Sequence, residues 1–219
     1  MNAAAPLRSI ALLIFDLDGT LVDSLDDLAT AVNLTRADYG LAPLPREAVV
    51  RNIGNGSDVL VRDTIPRARE NFAEVYGIYL AHYNAHLLDR TRLHDGVARV
   101  LEHFSDRPLA VVTNKLVAET RRILAGLGIL QRFGVVLGGD SLAQKKPHPL
   151  QIEHVLAHSG CTPTHCVMIG DGINDVRAGK AAGVHTIGFT GGVDGRAALE
   201  RERPGHLIER MDELLTLIA

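Results

Sequence analysis

Short runs of consecutive apolar residues recur along the chain, and polar residues follow each of them. These runs cover residues 10–15, 109–112, 135–137, 166–169 and 186–189. A strand that is buried on both faces of a parallel sheet has this continuous apolar pattern, whereas a half-exposed strand alternates. Apolar residues with helical spacing occupy four further stretches, 97–104, 118–127, 149–158 and 176–182. Alternating strands and helices predict an α/β fold, a Rossmann-like parallel sheet flanked by helices.

The segment from residue 24 to residue 90 breaks this alternation. It contains no strand-like run, and its pattern predicts four helices. The first begins at Ser24, and the other three cover residues 47–51, 57–63 and 67–88. Asp23 is expected to cap the first of these helices. We therefore expect a core domain, residues 1–23 and 91–219, and a small all-helical insertion, residues 24–90, placed after the first strand.

Composition and charge exclude several classes of partner. The 219 residues include 23 Lys and Arg against 26 Asp and Glu, a formal net charge of -3, and no Trp. Because no strongly basic field exists, we expect neither nucleic acid nor a membrane as a partner. The N-terminal residues show no apolar run long enough for a signal peptide or a membrane span. We expect a cytoplasmic protein that is a monomer or a homodimer.

Polar residues with catalytic potential follow the predicted strands, where ligands bind in an open parallel sheet. Four carboxylates, a hydroxyl, an amide and an ammonium group are expected to meet there. They belong to Asp16, Asp18, Asp171, Asp175, Thr113, Asn114 and Lys146. Clustered carboxylates repel one another unless a cation lies among them. Oxygen ligands select a hard ion, and beside a phosphate group we predict Mg²⁺.

This set of groups suits phosphoryl transfer to a carboxylate. Asp16 can attack phosphorus and form an aspartyl-phosphate, which divides hydrolysis into two easier steps. Asp18 can protonate the leaving oxygen and later deprotonate the attacking water. Thr113 and Asn114 can donate hydrogen bonds to the phosphoryl oxygens, whose charge must be held in the transition state. Of two adjacent lysines we favour Lys146 as the countercharge, because it directly precedes a proline.

Four motifs occur in order along the chain, each at a predicted strand end or loop. They are Asp16-x-Asp18-Gly19-Thr20, Thr113-Asn114, Lys146-Pro147-x-Pro149 and Gly170-Asp171-x-x-x-Asp175. Together they resemble the haloacid dehalogenase superfamily over essentially the whole chain. The helical insertion after the first motif resembles the small cap of that superfamily's first cap class.

The resemblance implies a role for each motif residue. Asp16 would be the nucleophile and a metal ligand, and Asp18 the general acid/base that also binds the metal through its backbone carbonyl. Asp171 would be a metal ligand, and Asp175 would orient a metal-bound water or Lys146. Lys146 would pair with both the nucleophile and the phosphate. Thr113 matches the family's phosphate-binding residue.

Three runs are similar to a subfamily of bacterial phosphatases that act on 2-phosphoglycolate. They are residues 53–61, residues 113–115, and residues 138–140 followed by 145–149. The first run contains Gly54, Asn55 and Gly56, which the resemblance places against the substrate, although a plain turn at the start of a helix would have the same residues. The chain departs from the subfamily pattern at Leu116, where Pro is usual, and at residues 94–96. The expected partner is thus a small phosphorylated metabolite, with 2-phosphoglycolate the leading candidate.

Other functions share much of this evidence. A sugar-phosphate phosphatase, a pyrophosphatase and a β-phosphoglucomutase-like isomerase have the same core motifs. The isomerase needs a second phosphate site, for which the insertion offers Arg36, Arg46, Arg51, Arg62 and Arg67. A phosphate-binding module without catalysis is a different class, and the intact pair of Asp16 and Asp18 argues against it. A nucleotide-dependent oxidoreductase is disfavoured because Gly54 and Gly56 lack the third glycine of the dinucleotide fingerprint.

Overall fold

The computed structural model describes residues 6–219, and eight β-strands lie in this part of the chain. They are β1 (Leu12–Phe15), β2 (Val22–Asp23), β3 (Arg92–Leu93), β4 (Leu109–Val112), β5 (Val135–Leu137), β6 (Cys166–Gly170), β7 (His185–Phe189) and β8 (His206–Ile208). Six of them form one parallel sheet in the order β5-β4-β1-β6-β7-β8. The short strands β2 and β3 pair with each other in antiparallel fashion.

Ten α-helices accompany these strands over the same residues. They are α1 (Leu25–Asp38), α2 (Arg46–Val50), α3 (Ser57–Thr64), α4 (Phe72–Ala85), α5 (Val97–His103), α6 (Val117–Gly126), α7 (Leu150–Ser159), α8 (Ile173–Ala181), α9 (Gly195–Glu202) and α10 (Leu214–Leu217). Residues of α5 and α6 pack on one face of the sheet, and residues of α7 and α8 pack on the other. None of the helices in residues 6–219 is long and apolar enough to cross a membrane.

The central strand β1 is covered on both faces. Leu13 is in register with Leu109 of β4 and with Val167 of β6. All four residues of β1 are buried, and Leu13 and Phe15 contribute to one apolar layer while the two alternate residues contribute to the other. Since both faces need apolar side chains, the continuous runs in the sequence are explained. The predicted α/β fold with a parallel sheet is confirmed.

The helical insertion contains α1 to α4 and a 3₁₀ turn at Pro66–Arg69. Helices α1 and α4 pack against each other. The prediction of one helix over residues 67–88 is wrong, because α4 begins only at Phe72. Pro66 favours an extended residue before it, and Ile65 is extended accordingly. Asn71 has φ −138° and ψ 77°, which are not helical values and separate the 3₁₀ turn from α4.

The two links between the core and the helical insertion run side by side. In the pair of β2 and β3, Val22 lies opposite Leu93 and Asp23 lies opposite Arg92. Asp23 binds the Arg92 guanidinium at 2.6 Å and does not cap α1. The prediction that Asp23 caps this helix is therefore wrong. The first helix therefore starts without a side-chain cap.

Asp27 of α1 binds the segment, residues 90–91, that leads from the helical insertion back to the core. Its buried carboxylate accepts hydrogen bonds from the backbone N–H groups of Arg90 (3.0 Å) and Thr91 (2.8 Å), and from the Thr91 hydroxyl (2.7 Å). A buried carboxylate is tolerated when several donors satisfy it, and here three do so. The link is thus held at a fixed place on the first helix of the insertion.

Candidate active site

The carboxyl ends of the central strands bring the predicted residues together. Asp16 follows β1, Thr113 follows β4 and Asp171 follows β6, and these three strands are neighbours. The Asp16 N–H donates to the Ile169 carbonyl at 2.9 Å, which extends the pairing with β6 beyond the end of β1. The convergence thus follows from parallel pairing alone, because parallel strands end at the same edge.

Three carboxylates form an acidic cluster, defined here as Asp16, Asp171 and Asp175. Each offers an oxygen, and these oxygens lie within 4.8 Å of one another. Asp171 accepts hydrogen bonds from the Thr20 hydroxyl (2.5 Å) and the Val193 N–H (2.7 Å). Burial raises the pKa of Asp171 well above its usual value, and the charges of Asp16 and Asp175 raise it further. Such oxygen-only, repelling groups fit a hard divalent cation.

Lys146 supplies the positive charge that this cluster contains. Its ammonium lies 2.9 Å from Asp16 Oδ1 and 2.5 Å from Asp175 Oδ1, and its side chain is 1% exposed. Burial disfavours the charged form, but Asp16 and Asp175 outweigh burial and raise the pKa of Lys146. The neighbouring Lys145 pairs instead with Asp58 of the helical insertion at 2.7 Å. The structure therefore places Lys146, of the two lysines, beside Asp16.

The Asp18 carboxylate lies outside the acidic cluster. One of its oxygens accepts a hydrogen bond from the Ser24 hydroxyl, and the other lies 2.7 Å from the Lys115 ammonium. Asp175 takes the third place among the clustered carboxylates, although the motif resemblance assigned it an indirect role. A contribution of Asp18 to metal binding through its backbone carbonyl stays a prediction.

Gly19 allows the turn after Asp18 to pass close to the acidic cluster. Its φ is +81°, a value that side chains disfavour. A Cβ atom at this position would lie 2.2 Å from Asp171 Oδ2. The glycine of the first motif is thus required by the position of Asp171.

Asn114 has partners that the sequence did not indicate. Its Nδ2 donates to the carbonyl of Gly54 and to the carbonyl of Lys146, both at 2.9 Å. Both amide hydrogens are therefore engaged, and the side chain bridges the helical insertion and the Lys146 loop. Direct phosphate binding by this side chain stays a prediction, and its bridging role is the one that the contacts support. Thr113 is buried beside it, and its Oγ1 accepts from the Lys115 N–H at 3.3 Å.

The loop of Gly54, Asn55 and Gly56 borders the same site. Besides Asn114, the side chain of Asn174 donates to the Gly54 carbonyl (3.2 Å) and to Asn55 Oδ1 (2.9 Å). Gly54 and Gly56 line a cleft together with Asp16 and Asp18. The loop therefore lies between the helical insertion and the core, and its contact with substrate stays a prediction.

A cleft, called the leaving-group cleft below, separates Asp18 from the helical insertion. The wall formed by the insertion is mostly apolar and consists of Leu28, Ile53, Leu60, Tyr79, Leu80 and Tyr83. On the core side it is lined by Lys115 and Glu119, in addition to Asp18. Glu119 is buried, accepts from the Asn84 amide at 3.2 Å, and has its second oxygen unpaired among the described residues.

Sequence reasoning did not identify Lys115, Tyr79, Tyr83 or Glu119 as site residues. Tyr79 and Tyr83 are four residues apart, and this spacing places two side chains on one face of a helix. That spacing is a signal that could have found the tyrosines. The side of α4 that faces the core depends on how the helices pack, which no local pattern in the sequence gives.

Most of the arginines considered for a second phosphate site have partners elsewhere. Arg36 donates to the backbone carbonyls of Ala42 and Thr64, Arg46 pairs with Asp26, Arg62 lies over the Phe72 ring and Arg67 pairs with Glu70. Arg51 borders the site on the side of Asp171. None of the five lines the leaving-group cleft within residues 6–219.

The fold and the site define an α/β enzyme whose carboxylates and buried lysine suit phosphoryl transfer. A model of the haloacid dehalogenase-like hydrolase family matches residues 13–189. The chain is 36% identical to the phosphoglycolate phosphatase of Colwellia psychrerythraea, over 95% of this chain and 97% of that protein. It is 34% identical to the phosphoglycolate phosphatase of Haemophilus influenzae strain Rd, over 93% and 96% of the two chains.

A solved structure agrees with these similarities. The crystal structure of a predicted phosphoglycolate phosphatase from Haemophilus somnus matches with a TM-score of 0.87 and 30% identity, and covers 95% of this chain and 97% of that one. The chain therefore belongs to the haloacid dehalogenase-like hydrolase family, as its four motifs predicted.

Proposed function

We propose that the protein is a Mg²⁺-dependent phosphatase that hydrolyses 2-phosphoglycolate to glycolate and phosphate. The observation that carries the proposal is the position of Asp16, which lies within the acidic cluster, 2.9 Å from a buried ammonium and next to the leaving-group cleft. The names of relatives that are about one third identical over nearly their whole length support the substrate.

In the first half of the reaction, a carboxylate oxygen of Asp16 attacks phosphorus while the bond to the ester oxygen breaks. The leaving glycolate oxygen takes a proton from Asp18, and an aspartyl-phosphate remains on Asp16. Lys146 and Thr113 offset the charge on the phosphoryl oxygens as the group is transferred. The Lys146 ammonium is suited to this task because its two carboxylate neighbours keep it protonated.

In the second half, a water molecule attacks the phosphorus of the aspartyl-phosphate. Asp18, now unprotonated, accepts a proton from that water as the bond between phosphorus and the Asp16 oxygen breaks. Phosphate leaves, and both aspartates return to their starting state. Asp18 can serve first as acid and then as base because the leaving oxygen and the attacking water occupy the same position beside the phosphorus.

The residues also fit a resident cation. Asp16 and Asp171, with the backbone carbonyl of Asp18, would hold Mg²⁺, while Asp175 would orient its environment and Lys146. When bound, the ion supplies positive charge to the phosphoryl group. Its charge would also offset the repulsion from Asp16 and Asp175, which adds to burial in raising the pKa of Asp171.

The division of labour within the chain is part of the proposal. Residues 1–23 and 91–219 form the catalytic core domain, and the helical insertion, residues 24–90, covers the substrate. Gly54, Asn55 and Gly56 contact the substrate or the groups around it, since they lie at the boundary between the two parts. Covering the site excludes bulk water and selects the leaving group.

A phosphate-release assay with Mg²⁺ tests the proposal. The panel contains 2-phosphoglycolate, glucose 6-phosphate, a nucleoside monophosphate and pyrophosphate, and we expect the highest kcat/KM for 2-phosphoglycolate. Asp16→Asn is expected to abolish turnover because the amide is a poor nucleophile. Asp106→Asn, which alters an exposed aspartate away from the site, is the matched control and should retain activity.

Two results would count against the proposal in different ways. Turnover by Asp16→Asn at the wild-type rate would show that the nucleophile is wrong. Equal turnover of 2-phosphoglycolate and the other esters would show that the substrate is wrong, while the chemistry would stand.

A further inference from the structure

We propose that Lys115 binds the carboxylate of the leaving group, and that the hydroxyls of Tyr79 and Tyr83 donate to the same group. This assignment of a specificity-determining residue rests on the proposed phosphatase function. It concerns the leaving-group cleft, which Asp16 of the acidic cluster lines together with Asp18 and Lys115.

The first argument is the position of Lys115. Its side chain is 6% exposed, and its ammonium lies 2.7 Å from the Asp18 oxygen and 4.7 Å from the centre of the Tyr83 ring. Asp18 is the group that protonates the ester oxygen in the proposed reaction. In 2-phosphoglycolate a single methylene separates that oxygen from the carboxylate. The substrate carboxylate therefore has to lie close to Asp18, which is where Lys115 is held.

The second argument is the state of the two tyrosines. Tyr79 and Tyr83 are 0% and 2% exposed, and neither hydroxyl has a hydrogen-bond partner among the described residues. Burial raises the pKa of both phenols well above the usual value, so both remain neutral donors. Buried hydrogen-bond donors normally have an acceptor. Two tyrosine hydroxyls without one, in residues that line a cleft, indicate that a bound ligand supplies the acceptor.

The third argument is the charge of the cleft. Among the described residues that line it, Lys115 is the one with a positive charge, whereas Asp16, Asp18 and Glu119 are acidic. Lys115 pairs with Asp18 inside the cleft, whereas Lys146 and Lys145 pair with other carboxylates and neither lysine lines the cleft. A carboxylate entering the cleft without Lys115 would meet only negative charge and neutral walls, so discrimination in its favour should depend on this lysine.

The test compares two esters that differ only at the end of the leaving group. 2-Phosphoglycolate carries a carboxylate, and 2-hydroxyethyl phosphate carries a neutral hydroxymethyl group in its place. We expect Lys115→Met to lower kcat/KM for 2-phosphoglycolate by roughly 10- to 100-fold, mostly through KM, since one charge-assisted contact is lost. Because Lys115 also pairs with Asp18, its loss can lower turnover of both esters alike, so the assignment is read from the ratio of the two kcat/KM values, 2-phosphoglycolate over 2-hydroxyethyl phosphate, which we expect to fall by roughly 10- to 100-fold.

Two further variants sharpen the comparison. Lys115→Arg keeps the charge and should restore part of the preference for the carboxylate. Lys180→Met removes a surface lysine that binds the Glu202 carbonyl, and should leave both esters unaffected. If Lys115→Met does not fold, Lys115→Gln retains an N–H donor for Asp18 and is used for the same comparison.

The outcomes separate this inference from the proposed function. A wild-type protein that releases phosphate from neither ester contradicts the phosphatase proposal itself. A wild-type protein that hydrolyses both esters equally well, or a Lys115 variant that loses both equally, contradicts the carboxylate assignment and leaves the phosphatase chemistry in place. Selective loss of 2-phosphoglycolate hydrolysis in the Lys115 variant supports the assignment.

Discussion

Replacing Lys146 with methionine tests whether the buried ammonium holds the acidic cluster together. Methionine is similar in length to lysine but neutral, so the change removes the charge and leaves most of the volume. It leaves Asp16 and Asp175, which lie 2.9 Å and 2.5 Å from the ammonium, without their partner, close to Asp171. Removing one partner of a buried ion pair costs about 3–5 kcal/mol. For a domain of this size, about 2–4 °C per kcal/mol gives a fall in Tm of roughly 6–20 °C.

The assay is thermal unfolding in EDTA, followed by circular dichroism at pH 8 and pH 5. Folding raises the pKa of Asp175 from 3.8 to about 7 through burial, with Asp16 as the next cause. A carboxyl with a raised pKa binds more protons in the folded state, so the metal-free protein loses stability as the pH rises through that interval. At pH 8 Asp175 is ionised and needs the ammonium, whereas at pH 5 it is mostly protonated. The loss of stability caused by Lys146→Met should therefore be larger at pH 8 than at pH 5.

Magnesium and a control variant complete the design. Added Mg²⁺ should raise the Tm of the wild type, since at 100 times its Kd a ligand stabilises the folded state by about 2.7 kcal/mol. Lys180→Met, at the surface of α8, should change stability by less than about 0.5 kcal/mol. If Lys146→Met unfolds in EDTA within about 2 °C of the wild type at pH 8, the ammonium does not balance the cluster and the reasoning is refuted.

Two other substitutions follow from contacts near the first motif. Gly19→Ala would place a Cβ 2.2 Å from Asp171 Oδ2 at a φ of +81°, so we expect loss of activity and of the Mg²⁺-dependent rise in Tm; retention of both would contradict the close approach. Asp27→Ala leaves the N–H and hydroxyl of buried Thr91 without their acceptor, and we expect urea denaturation to show a loss of about 2–4 kcal/mol. Asp26→Ala removes a partly exposed ion pair with Arg46 and should lower the free energy of unfolding by less than about 1 kcal/mol. Equal losses of stability in the Asp26 and Asp27 variants would argue against the Asp27 contacts.

The core of the site could be predicted from the sequence because it depends on strand ends. Asp16, Thr113 and Asp171 each follow an apolar run, and parallel pairing brings such positions together whatever the details of packing. Lys146 was predicted from its motif, and its contacts with Asp16 and Asp175 follow from the loop that carries it.

The helical insertion could be predicted only as a set of helices. Whether Tyr79 and Tyr83 face the core depends on the rotation of α4 against α1, which is decided by tertiary packing and not by local pattern. The break between the 3₁₀ turn and α4 at Asn71 was missed for a related reason, since the apolar pattern continues across it. The partners of Asn114 join residues 60 and 32 positions away, and no local signal predicts such pairs.

The pairing of β2 with β3 has a consequence for how such a chain can diversify. Because Val22 lies opposite Leu93, the chain leaves the core and returns to it at adjacent points. The residues between these two points therefore form a closed loop whose ends are fixed next to each other. Insertions at sites with neighbouring ends are tolerated, since loop closure becomes only slowly more costly with length. The insertion can therefore be lengthened, shortened or exchanged for another module without altering the strands that carry Asp16 and Asp171. If the insertion selects the leaving group, as proposed, selectivity toward phosphate esters can change in this way while the residues that perform the chemistry are kept.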